Sequence, residues 1–114
     1  MTPLAKALED LLIEYKVDLV HTAHHHDYSR TWPVYKSVPE KEDSGHREDI
    51  FVRPKSPVYV VQGTGGALRN DHPLDEKPVW SIKRLTKYGF GRVTIKENVL
   101  KYEFVEAPSG RVID

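Results

Sequence analysis

The sequence predicts a single domain of the α+β or α/β class, with an N-terminal helix packed on a mixed, mostly antiparallel β-sheet. Three observations carry this expectation. An amphipathic stretch runs with almost no linker into a short apolar run, Val17–Thr22, the helix-then-strand step of α/β architecture. A second compact apolar run, Val58–Gln62, is bounded by Pro57 and Gly63 and reads as a buried strand. Near the end, the alternating runs Arg92–Lys96 and Val99–Glu106 are joined only by Glu97-Asn98, which reads as an antiparallel hairpin.

The elements follow in order. Thr2-Pro3 opens a helix over 3–16, with a hydroxyl at the N-cap and proline at the first helical position. Leu4, Leu8, Leu11, Leu12 and Tyr15 recur at helical spacing, and this stripe is expected to pack as core. Val17–Thr22 is expected to be a buried strand whose C-terminal end displays site residues. Residues 31–36 form a short edge strand, because Pro33 removes one ladder donor. Residues 37–57, rich in charge and turn formers, are a surface loop in which His46 and Asp49 are expected to be solvated. Residues 67–78 are a second polar surface loop, and Val79–Leu85 is strand-like. After the hairpin, Pro108-Ser109-Gly110 turns the chain and Arg111–Ile113 begins one more strand.

With 114 residues the chain is one domain's worth and long enough to bury a core. Seventeen basic and seventeen acidic residues cancel, so no global field draws it to nucleic acid or to a membrane surface. The basic residues of the second half, among them Lys83, Arg84, Arg92 and Lys101, read as a solvated face, because the hairpin's aromatics alternate onto the core side. The absence of cysteine excludes disulfides and thiolate ligands. No apolar run approaches a membrane span, and the N-terminus lacks the profile of a signal peptide.

The chemistry concentrates at the end of the first strand. Val17–Arg30 holds four of the six histidines, with His24 and His26 two residues apart. On extended backbone their side chains share one side and can share one site. Imidazole is the commonest protein ligand for metals. An H-x-H pair is then half a metal site, since zinc needs at least three protein ligands. The alternative is a solvated histidine loop that binds nothing. Gly63-Thr64-Gly65-Gly66, after the second strand, is either a tight turn with close backbone approach or a cradle of amides for an anion. It matches neither G-x-x-x-x-G-K-[ST] nor G-x-G-x-x-G.

The string Ala23-His24-His25-His26-Asp27-Tyr28-Ser29-Arg30, followed by Pro33-Val34, resembles the last metal-binding motif of the calcineurin-like metallophosphoesterases. The purple acid phosphatase branch, with G-H-x-H-x-Y-x-R, is the nearest pattern. Ala23 replaces the glycine and Ser29 the usual glutamate. Alanine resists the turn that glycine permits. The Tyr88-Gly89-Phe90-Gly91 string and the glycine turn after Pro57-Val58-Tyr59 are also similar to that family.

The resemblance implies that the fold is the C-terminal part of the metallophosphoesterase β-sandwich flanked by helices, spanning residues 1–114 as one segment. It implies acid phosphatase-like hydrolysis of phosphate monoesters by a metal pair, iron with zinc or manganese. His24 would bind one ion and His26 the other. Asp27, Tyr28 and Arg30 would brace the site, and Gly63–Gly66 would lie on its phosphate side. The family's other motifs, D-x-G, G-D-x-x-Y and G-N-H, have no counterpart in the sequence. The expectation is therefore the C-terminal portion of a phosphoesterase, inactive alone and taking a phosphate ester only when joined to the N-terminal half. The second reading is a non-catalytic metal-binding or interaction module. Self-association through open sheet edges is expected in either case. The family's members are often secreted or lysosomal, while the sequence carries no export signal.

Overall fold

A computed structural model describes residues 3–41, 45–68 and 77–114. Helix α1 spans Pro3–Glu14, two residues shorter than its apolar periodicity. The chain leaves it through Lys16 at φ +53°. The Val17 amide donates to Leu12 and the Lys16 amide to Ile13, the paired bonds of a Schellman ending, with lysine where glycine is usual.

Four strands form the main sheet: β1 (Leu19–Thr22), β2 (Tyr28–Thr31), β5 (Val58–Gln62) and β6 (Ser81–Leu85). Their order is β1-β5-β2-β6. β5 is parallel to β1, with Val20 opposite Tyr59, and antiparallel to β2, with Tyr28 opposite Gln62. β2 is antiparallel to β6. Two small hairpins complete the fold, β3 (Val34–Tyr35) with β4 (Val38–Pro39), and β7 (Gly89–Lys96) with β8 (Val99–Glu106). The mixed, mostly antiparallel sheet and the N-terminal helix are those the sequence predicts.

The core is aromatic and small. Tyr28, Val60 and Phe104 are fully buried, with Leu19, Leu85, Tyr102 and Ile113 packed against them. The Tyr28 and Phe104 rings stack with centroids 4.3 Å apart, and Tyr102 lies parallel on Tyr28 at 6.4 Å. Such pairs add about 0.5–1.5 kcal/mol beyond their area.

Several expectations are corrected. The stripe on α1 is not core: no residue of the helix is buried, and Leu4, Leu8, Leu11 and Tyr15 are exposed. Polar contacts hold the helix instead. Tyr35 donates its hydroxyl to Asp10, and the Lys36 amide donates to Glu9 at 2.6 Å. Residues 31–36 are not one edge strand; the chain pairs first as β2, in the middle of the sheet, and then as β3. Within 37–57, β4 forms, Arg47 bridges Ile50, and His46 is only 3% exposed. Most of the 67–78 loop lies outside the described residues. Arg111–Ile113 makes a single bridge, Val112 to Val105. Backbone bonds from Phe104 to Asp114 and from Ile113 to Phe104 bind this tail along β8.

Candidate functional site

β1 and β2 flank β5 on opposite sides, one parallel to it and the other antiparallel. The connection between them must therefore arch over the C-terminal end of β5. That arch is residues 23–27, and it carries the histidines. Gly63, the first residue after β5, lies directly beneath it. The Gly63 amide donates to the Asp27 carbonyl at 3.2 Å. A Cβ on Gly63 would overlap the His25 carbonyl oxygen, so only glycine lets β5 end this close to the arch. The glycine turn and the histidine motif, 40 residues apart in sequence, meet in space.

The arch is not extended. His24 has φ +80°, a left-handed conformation costly for a residue with a Cβ. The expectation that His24 and His26 share a side because the backbone is extended does not hold. Ala23 is not among the positive-φ residues; the strain falls on the histidine that follows it. His24 and His25 are exposed and His26 is partly buried.

His26 is oriented by the far end of the glycine turn, where its Nδ1 donates to the Leu68 carbonyl at 2.7 Å. A carbonyl only accepts, so Nδ1 carries the proton and Nε2 the lone pair of the neutral ring. The acceptor that orients His26 is thus the Leu68 carbonyl. Asp27 contributes its main-chain carbonyl to Gly63.

Tyr28 and Arg30 lie on β2 and converge on one carboxylate. The Tyr28 hydroxyl donates to Asp114 Oδ2 at 2.6 Å. Arg30 donates to the same oxygen from Nε at 2.6 Å and to Oδ1 from Nη2 at 2.9 Å. Arg30 Nη1 reaches the Glu48 carbonyl at 2.7 Å. Burial, then the Asp114 carboxylate, pushes the Tyr28 phenol far up. Burial alone would raise the Asp114 carboxyl, but the bonds from Arg30 and Tyr28 outweigh it and hold the group below its ordinary value. Tyr28 and Arg30 brace the strand that leaves the arch, and their partner, Asp114, gives no sequence signal of its own.

Of the glycine-turn residues, Thr64 faces inward. It is buried, its Oγ1 donates to the Gly89 carbonyl at 2.9 Å, and its own carbonyl accepts the Gly89 amide. Gly65 and Gly66 are open, with nothing near a built Cβ. Beside the arch sits a second polar group. Tyr102 donates its hydroxyl to Gln62 Oε1, which also lies 3.3 Å from His21 Nε2. Burial, then Asp114, pushes the Tyr102 phenol up to about 12.

The family's metal pair does not fit these residues alone. Among the described residues no three His, Cys, Asp or Glu side chains gather where one ion could bind. Two imidazoles fall short of even a mononuclear zinc site.

The family model for iron/zinc purple acid phosphatase-like protein C matches residues 56–114, more than half of the chain. The chain belongs to the purple acid phosphatase-like family. Acid phosphatase type 7 of Danio rerio is 37% identical over 98% of this chain and 25% of its own length. Probable inactive purple acid phosphatase 1 of Arabidopsis thaliana is 35% identical over 96% of this chain and 17% of its own length. A nucleotide pyrophosphatase/phosphodiesterase of Hordeum vulgare is 31% identical, over 96% of this chain and 29% of its own length. Among solved structures, the purple acid phosphatase PPD1 from yellow lupin seeds superposes with a TM-score of 0.80 at 29% identity, covering 94% of this chain and 18% of that one. The chain thus corresponds to the C-terminal part of a purple acid phosphatase and spans about a quarter or less of the first of these relatives' length.

Proposed function

We propose that this purple acid phosphatase-like chain contributes the last two imidazole ligands, His24 and His26, to a metal-dependent phosphoesterase that hydrolyses phosphate monoesters. In this reading Tyr28 and Arg30 brace the ligand arch, Asp27 seats it on Gly63, and Gly63–Gly66 lie on the phosphate side. The observation that supports it is the bond from His26 Nδ1 to Leu68, which leaves the Nε2 lone pair free to coordinate. A metal-bound histidine needs that arrangement, with the distal N–H held by an acceptor. An iron–zinc or iron–manganese pair would supply Lewis acidity at the phosphate, and the rest of its ligands must come from elsewhere in the phosphoesterase.

The isolated chain is expected to bind zinc weakly, to lose that binding in the His24→Ala/His26→Ala variant, and to leave an aryl phosphate intact. Zinc binding unchanged in the double variant would remove the arch as the site. Metal-dependent turnover by the isolated chain would remove the claim that the site is incomplete.

A second reading, a non-catalytic metal-binding or interaction module, is favoured by the ligand shortage among the described residues. Self-association would then run through the open edges β1 and β6. The two readings separate on whether joining the ligand-bearing part of a relative to this chain restores hydrolysis.

A further inference from the structure

The arch is shaped from its feet. His24 sits at φ +80°, a conformation that persists in a residue with a Cβ only where its surroundings over-determine it. Its own side chain does not supply that constraint. Among the described residues the exposed His24 ring meets only the His25 ring, edge-on at 6.0 Å. The bonds from Gly63 to Asp27 and from His26 to Leu68 hold the descending half of the arch. The ascending half, through Ala23 and His24, depends on where β1 ends relative to β2. Those two feet are Thr22 and Tyr28.

One side chain reaches both. Gln62, the last residue of β5, stands opposite Tyr28 in the antiparallel register. Its Oε1 accepts from the Tyr102 hydroxyl and from His21 Nε2, which lies 3.3 Å away and one residue before Thr22. Two donors fill the two lone pairs of that oxygen, so the amide is fixed in place. Tyr102 in turn lies parallel on Tyr28 at 6.4 Å. With its phenol pushed up to about 12, it stays a donor at neutral and acid pH. β7 makes room by withholding a side chain, since a Cβ on Gly91 would lie 2.5 Å from Tyr102 Oη and 2.8 Å from Gln62 Oε1. Four strands thus converge on one amide oxygen at the root of the arch. We infer that His21, Gln62 and Tyr102 are positioning residues that fix the span between the feet and so hold His24 in its left-handed conformation. Their bearing on metal binding rests on the proposed function; their bearing on the arch does not.

The test uses the full chain, isotopically labelled, and reads the sign of φ at His24 from the NOE between its amide and α protons. Tyr102→Phe removes one oxygen and leaves the ring on Tyr28, so the fold survives. Gln62→Leu removes the shared acceptor at nearly constant volume. Each is expected to release His24 from positive φ while the circular dichroism spectrum is kept. Gly91→Ala, which breaks the group from outside, should give the same signature. Gln62→Glu, whose carboxylate can accept from both donors, should keep His24 left-handed. Positive φ retained in both Tyr102→Phe and Gln62→Leu would overturn the inference, and so would its loss in Gln62→Glu. Zinc titration separates this idea from the ligand role. Affinity should fall about tenfold in Tyr102→Phe. Zinc binding unchanged in His24→Ala/His26→Ala would refute the ligand role, and the sign of φ at His24 would still decide the positioning role.

Discussion

Arg30 grips Asp114 side-on, with Nε on Oδ2 at 2.6 Å and Nη2 on Oδ1 at 2.9 Å, across 84 residues of sequence. Both side chains are nearly buried, 13 and 10% exposed, so the pair is screened little by solvent. Asp114→Asn keeps the shape and removes the charge, leaving the guanidinium without its counter-ion. A loss of about 3 kcal/mol is expected, near the cost of breaking other buried pairs. Urea unfolding of the variant checks it.

The same carboxyl sets an acid limit. Its folded value lies below the ordinary 3.8, so its stabilisation is complete above that value and is lost as pH falls through the lower, folded one. Tm is expected to fall steeply below about pH 4. In Asp114→Asn the fall over that range should be shallower, which thermal melts between pH 2 and 7 will read.

Gly63→Ala puts a methyl group against the His25 carbonyl. Either β5 or the arch must move, and the Gly63–Asp27 bond goes with it. The expected result is about 2 kcal/mol of destabilisation together with a changed His26 ring environment. Nitrogen chemical shifts of the imidazoles report whether Nδ1 still holds the proton. An unshifted His26 would show that the arch tolerates the methyl group.

His24 carries the arch's left-handed residue, and His24→Gly relieves it. This variant is expected to gain about 0.5–1 kcal/mol of stability while weakening zinc binding. Stability and metal affinity moving in opposite directions is the signature of a strained ligand.

His46 is enclosed, although its neighbours in sequence are charged. Its Nδ1 accepts the Val52 amide at 3.1 Å, its Nε2 meets Glu40 at 3.2 Å, and its ring meets Phe51 edge-on. His46→Ala leaves the Val52 amide without that acceptor and opens a void. A loss of about 2–3 kcal/mol is expected, with hydrogen exchange accelerated at Val52 and Lys55.

Legibility varied with how much of each element's surroundings its own residues encode. β5 and the β7–β8 hairpin were readable because a bounded apolar run and a two-residue turn are local signals. β2 was not: Tyr28-Ser29-Arg30-Thr31 contains one large apolar group. It is central because neighbours pair on both sides and a distant carboxylate neutralises Arg30. The helix's periodicity identified the face able to pack, not whether anything packs there, and Leu4 and Leu8 stand in solvent. At the candidate site, the motif singles out His24 and His26. That His24 bears the positive φ, and that Leu68 orients His26, depends on how the arch crosses β5, which no local pattern records.

The Tyr28–Asp114 bond spans 86 residues, and this has a consequence for the order of assembly. Tyr28 cannot be buried until Phe104 stacks on it and the tail 111–114 lies along β8. Contacts of such long range form late, because the intervening loop must first be closed. The histidine arch, near the start of the chain, is thus among the last parts to set. During synthesis His24 and His26 stay on a loose segment until β8 and the tail join.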